Sequence, residues 1–222
     1  SPAAAPDIAV IPLGADMAAS FPSAGLPANI AEVRHWVRQH RAVLAIGTVE
    51  PRKGHEQLLA AFAHHWQAEP GSPIALLIAG RPGWKTEAMQ AAIRQHPEQG
   101  RRLMWLDAAS DELLGELYRS AAGLIAASHG EGFGLPLIEA LAHGLPVLAR
   151  DLPVFREVGG ARFAYFADDR PAALAGAITA WLDAPRPPAA DAAALARWQD
   201  SAAALARILG LAPAACAEEA AQ

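Results

Sequence analysis

The sequence predicts an α/β protein, a Rossmann-like, doubly wound parallel sheet of six strands in one domain, on two observations. Apolar runs of strand length recur at residues 43–47, 74–79, 103–106, 123–127, 146–149 and 162–166, and each gap between them is long enough for a helix. Such alternation produces parallel strands covered on both faces. The gaps also carry apolar stripes at helical spacing: Leu58, Leu59, Phe62 and Trp66; Leu113, Leu114, Leu117 and Tyr118; and Leu174, Ile178 and Trp181. A stripe of this width is what a helix lays against a sheet.

Ahead of the first strand, residues 8–13 form a short apolar run, and 14–27 are rich in Gly, Pro, Ser and Ala, the composition of a connector. The expected organisation is therefore a connector over 1–27 and the sheet domain over 28–184. A proline-broken linker with a helix beginning at Asp191 follows over 185–211, and then a frayed tail over 212–222. No internal repeat is evident.

The composition narrows the function. With 222 residues and 53% hydrophobic content the chain can bury a substantial core. A net charge of −5 and a pI near 5.9 supply no broad basic field, which argues against a nucleic-acid partner. Any anionic ligand must be held locally. The single cysteine, Cys216, excludes an intramolecular disulfide and a multi-cysteine metal site. No run of about 18 apolar residues and no signal-peptide pattern is present, so a soluble, cytoplasmic chain is expected.

In a doubly wound sheet the ligand crevice lies beyond the carboxyl ends of the strands, where their order reverses. If the order is 3-2-1-4-5-6, strands one and four are neighbours there, and the loops 50–54 and 129–135 face each other. The first places Arg52 and Lys53 directly before a helix, fixed positive charge suited to a diphosphate. The second, Gly130-Glu131-Gly132-Phe133-Gly134-Leu135-Pro136, lets backbone approach a ligand closely. Pro136 suits the first turn of the next helix and Gly144 its end.

Glu131 in that loop and Glu139 in the helix are expected to reach one cavity, since helical side chains tilt back towards the N-terminus. Carboxylates are natural acceptors for paired sugar hydroxyls. Blander readings stand beside these: Glu139 complementing the helix dipole, and Arg52 with Lys53 as a solvated pair. Trp84 is read as covering apolar surface before it is read as stacking on a base. His129 beside the glycine loop is either a ligand contact or merely packed or exposed, and His64-His65 serve a helix C-terminus. The glycines 130, 132 and 134, with Asp151 further on, imitate a dinucleotide fingerprint, but the spacing is one residue short and the strand is the fourth.

With these residues in place, the chain resembles the C-terminal domain of the retaining, GT-B-fold glycosyltransferases of family 4. The resemblance rests on Ile46-Gly47-Thr48-Val49-Glu50-Pro51-Arg52-Lys53-Gly54, on Leu76-Leu77-Ile78-Ala79-Gly80, and on the two glutamates separated by seven residues in the segment from Glu131 to Glu139. The continuation Asp151-Leu152-Pro153-Val154-Phe155-Arg156-Glu157-Val158 is similar to the family too. It implies Arg52 and Lys53 on the donor diphosphate, Glu131 on the transferred sugar and Glu139 on the ribose. Around them it implies donor contacts from Gly47, Thr48, Gly132, Phe133, Gly134, Leu135, Arg81 and Asp107, with Glu131, Lys53 and Arg52 at the reacting centre. Thr48 departs from the pattern, since many members carry an arginine near it.

The resemblance also implies no metal and no cofactor. The donor it implies is a nucleotide-sugar, with a GDP-sugar favoured, as used for mannose or a related sugar. A glycan or lipid-linked acceptor would be read by an N-terminal domain, and the full-length protein would associate peripherally with the membrane. The residues 8–27 and the helix to Leu209 resemble the two crossovers between such domains, which would leave Trp198 more exposed here. A degenerate binding module of a tandem enzyme and a sugar-nucleotide epimerase are the alternatives.

Overall fold

The computed structural model describes residues 8–11, 13–14, 24–185 and 197–211. The expected frayed tail and Cys216 lie outside them, as does the start of the helix predicted from Asp191.

Helix α1 (Ile30–Gln39) leads into β1 (Arg41–Ile46), and a single 3-10 turn (Pro51–Lys53) precedes α2 (His55–Ala68). There follow β2 (Ile74–Ala79), α3 (Glu87–Arg94), β3 (Leu103–Leu106), α4 (Asp111–Ser120) and β4 (Gly123–Ala126). The second half runs α5 (Leu135–Ala142), β5 (Val147–Arg150), α6 (Pro153–Gly159), a 3-10 turn, β6 (Ala164–Phe166) and α7 (Pro171–Asp183). Helix α8 (Trp198–Ile208) closes the described chain.

All six strands are parallel, in the order β3-β2-β1-β4-β5-β6. The predicted order is therefore observed. Strand bounds differ from the expected ones by one or two residues for local reasons. Gly47 still donates to the Ala79 carbonyl at 3.0 Å but turns to φ 133°, ending β1 one residue early. Pro146 lacks an N–H, so β5 opens at Val147, and residues 162–163 belong to the turn before β6.

Side chains alternate between two cores. Ala42, Leu44, Ala75 and Leu77 face α1, α4, α5 and α6, whereas Val43, Ala45, Leu76 and Ile78 face α2, α3 and α7. Leu44, Leu76, Phe62 and Leu113 are essentially fully buried, and each such side chain stabilises the fold by about 1.5–3 kcal/mol. The predicted stripes all face the sheet, although Leu114 and Trp181 are only partly covered. Ser110 caps α4, accepting from the Leu113 amide at 3.2 Å and donating to the Gly25 carbonyl at 2.7 Å. That second bond ties the end of the connector to the domain.

Candidate functional site

A cavity of about 310 Å3 opens beyond the carboxyl ends of β1 and β4, at the reversal of strand order. Lys53, His55, Ser128, Glu131 and residues 133–137 line it, with the N-terminus of α5 at its edge. Gly134 precedes that helix at φ 93°, a left-handed conformation that favours glycine, with the Phe155 ring directly beneath it.

The two loops that were expected to face each other are bonded together. The His129 amide donates to the Arg52 carbonyl at 2.7 Å. Gly54, at φ 71°, lets the start of α2 approach the Ala127 carbonyl so closely that a Cβ would overlap its oxygen. Across this junction Glu131 receives Lys53 Nζ on Oε1 at 2.5 Å, the Ser128 hydroxyl on Oε1 at 2.7 Å, and Arg52 Nη1 on Oε2 at 3.0 Å. Arg52 also reaches Glu50 at 2.7 Å and the Gly130 carbonyl at 3.3 Å. Burial alone would raise the Glu131 carboxyl, but the bonds from Lys53, Ser128 and Arg52 outweigh it and hold the group below the ordinary carboxylate range.

Lys53 is itself mostly covered and lies along Gly47, where a Cβ would meet Lys53 Cε at 3.0 Å. The cation is thus held over the strand end and aimed at the cavity. An anion entering here meets an ammonium, a guanidinium and a helix N-terminus. At present the Glu131 carboxylate holds both cations.

The second glutamate is elsewhere. Glu139 does not line this cavity, contrary to the expectation that both carboxylates share it. It sits in the second turn of α5 towards α4, where the Tyr118 hydroxyl donates to Oε2 at 2.6 Å. Among the other sequence candidates, Phe133, Gly134 and Leu135 line the cavity, while Gly132 stands exposed on its loop with open space around it. Gly47 lies against the Lys53 side chain, while Thr48 is exposed and contributes its carbonyl to His55. Arg81 and Asp107 are exposed and do not line the cavity. The Arg81 carbonyl accepts from the Val49 amide, and Asp107 lies 3.7 Å from Arg94.

The structure also places the minor candidates. Trp84 is 65% exposed, with Lys85 Nζ 5.3 Å from its ring centroid, so most of its ring is left uncovered. His129 is exposed. His65 is buried and paired with the Ser72 hydroxyl at 2.7 Å rather than serving only the helix end. Asp151, the residue that imitated a dinucleotide site, is paired with Arg156 at 2.7 Å.

Sequence reasoning missed Ser128, Tyr118, Arg150 and His55. Arg150 ends β5 almost completely buried, donating to the Ala127 carbonyl at 3.0 Å and to Asp169 at 3.1 Å, which fixes the start of the Glu131 loop. An arginine closing an apolar strand run was the available signal. His55 is 4% exposed, its Nε2 lies 3.4 Å from the Thr48 carbonyl, and its Nδ1 is buried with no hydrogen-bond partner among the described residues.

Burial pushes the His55 imidazole below the ordinary histidine range, and the Lys53 charge adds to the shift against the Thr48 carbonyl. The fold therefore holds His55 neutral while the unfolded chain protonates it near pH 6.5. Its contribution to stability is fully present above that pH and is lost as pH falls towards the depressed folded value. Thermal melts of the parent and His55→Gln should show a smaller drop in Tm from pH 7 to 5 in the variant. Equal drops would assign the acid sensitivity to other groups.

Among the described residues no helix is long and apolar enough to cross a membrane, and no group of three or more His, Cys, Asp or Glu is placed to hold a metal ion.

The chain is similar to the "Serotype-specific mannosyltransferase WbdA" of Escherichia coli, 44% identical over 170 residues that cover 77% of this chain and 21% of that protein. It is 33% identical over 117 residues to the "O-antigen chain mannosyltransferase B" of Escherichia coli, covering 53% of this chain and 30% of that one. The chain thus spans about a fifth to a third of these relatives. Among solved structures, Anabaena Alr3699/HepE in complex with UDP and glucose superposes with a TM-score of 0.66 at 20% identity, covering 84% of this chain and 53% of that chain. The structure described as "Trehalose-6-phosphate from E. coli bound with UDP-2-fluoro glucose" gives 0.60 at 13% identity, covering 85% and 45%. These likenesses match the six-stranded parallel sheet to a Rossmann-like domain of the GT-B fold. With residues 29–198 matched by the model described as "Glycosyl transferases group 1", the chain belongs to that glycosyltransferase family.

Proposed function

We propose that this chain is the donor-binding half of a retaining hexosyltransferase, which transfers mannose or a related sugar from a nucleotide-sugar, GDP-linked by preference, to a growing glycan. The observation that carries the reading is the Lys53–Glu131–Arg52 cluster beside the α5 N-terminus at the β1/β4 reversal. Mannosyltransferase relatives covering 77% of the chain support the sugar.

In this reading the donor diphosphate takes Lys53 and Arg52 from Glu131, and the freed carboxylate accepts hydroxyls of the transferred sugar. Glu139 accepts those of the ribose. When the bond between the sugar C1 and the phosphate oxygen breaks, its electron pair leaves with the diphosphate. Charge then grows where an ammonium, a guanidinium and a helix dipole are already fixed. These side chains supply the positive charge, so the reading includes no metal. The acceptor is recognised outside the cavity described, by parts of a longer protein that works at the cytoplasmic face of the membrane.

Calorimetric titration with GDP, UDP and dTDP, without metal, tests the site. Binding of one of them, with GDP tightest, is the expected result. Failure of all three at millimolar concentration would sink the donor-binding reading for this chain.

A further inference from the structure

Tyr118 is 1% exposed in the core between α4 and α5, and its ring stacks on His143 at 5.3 Å and 11°. For packing alone a phenylalanine would fill the same space. The hydroxyl donates to Glu139 Oε2 at 2.6 Å. Burial, and then the neighbouring carboxylate, raise the phenol far above its ordinary range, so it remains a donor at every physiological pH.

We infer that Tyr118 is a positioning residue for donor recognition, holding Glu139 by one oxygen so that the other is presented to the ribose hydroxyls. A glutamate side chain has three rotatable bonds, and fixing them costs entropy that a ligand would otherwise bear on binding. Here the core fixes them beforehand. The bond spans two helices: α4 supplies the donor and α5 the acceptor, so the carboxylate is set by the packing of α5 against α4 and not by the glycine loop. Glu131 lines the cavity and Glu139 does not, so the two carboxylates occupy different places. The two glutamates accordingly read two parts of one ligand, and only the ribose end is set by Tyr118. This rests on the donor-binding reading above.

The test is calorimetry with GDP, 2′,3′-dideoxy-GDP and inorganic pyrophosphate, on the parent chain, Tyr118→Phe, Glu139→Gln and the double variant. The parent should prefer GDP to its dideoxy analogue, and Glu139→Gln should abolish that preference. Tyr118→Phe should reduce it by about three- to tenfold, the range of one lost hydrogen bond, while pyrophosphate affinity stays unchanged. The double variant should be no worse than Glu139→Gln alone.

A Tyr118→Phe chain that keeps the parent preference, while Glu139→Gln loses it, overturns the positioning role and leaves the donor reading intact. Loss of pyrophosphate affinity in Tyr118→Phe overturns it as well, because the effect is then general damage to the fold. Absence of both GDP and pyrophosphate binding in the parent overturns the donor reading itself.

Discussion

Gly54→Ala is expected to destabilise the chain by about 3 kcal/mol or more. Two costs add. A non-glycine residue in the left-handed region at φ 71° costs about 1–2 kcal/mol. The new Cβ must also displace the Ala127 carbonyl, an overpacking worth about 1–3 kcal/mol. Neither neighbour yields easily, because Ala127 is anchored by Arg150 and the two loops are joined through His129 and Arg52. Gly115→Ala is the control. It lies inside α4 with only the tip of Arg119 near a new Cβ, at 3.5 Å, and should gain about 0.5–1 kcal/mol. Urea denaturation of both variants measures the contrast, and equal stability in the two would show that the loop junction is soft.

Lys53→Ala should weaken GDP and pyrophosphate binding by about 10- to 100-fold, corresponding to roughly 1.5–3 kcal/mol for hydrogen bonds to a charged group. Glu131→Gln should act in the opposite sense on these ligands. It removes the carboxylate that occupies Lys53 and Arg52 at 2.5 and 3.0 Å, so an incoming phosphate no longer competes with it. Pyrophosphate should then bind as tightly as to the parent, or a few-fold tighter. The cost of Glu131→Gln should fall on the sugar, seen as a loss of any advantage of GDP-mannose over GDP. Calorimetry with the three ligands separates these outcomes. If both substitutions weaken pyrophosphate equally, the pair is a structural ion bridge and the phosphate lies elsewhere.

The sheet was readable because each of its features is local. Six apolar runs and the helical stripes between them required only periodicity, and the reversal at β1 and β4 followed from assuming the usual doubly wound order. Arg52, Lys53 and Glu131 were found because unusual loops stood out against this regular background. The partners of polar side chains were not readable. Tyr118 looked like the last member of an apolar stripe, and its ring behaves as one. Its hydroxyl matters only because α5 packs where Glu139 can meet it. Trp84 failed in the same way, since the chance that an aromatic ring is covered depends on what lies above its loop.

By itself, then, the sequence determined the six strands, the helices between them and the two unusual loops with their cationic pair, since these depend on hydrophobic period and turn chemistry along the chain, while the strand order came from the usual doubly wound arrangement. The tertiary structure alone decided that Glu131 currently holds both cations, that Glu139 lies apart from it and accepts from the Tyr118 hydroxyl, and that His55 is buried beside the Thr48 carbonyl. Those outcomes depend on distances of a few ångströms between residues remote in sequence, which packing sets and periodicity does not encode.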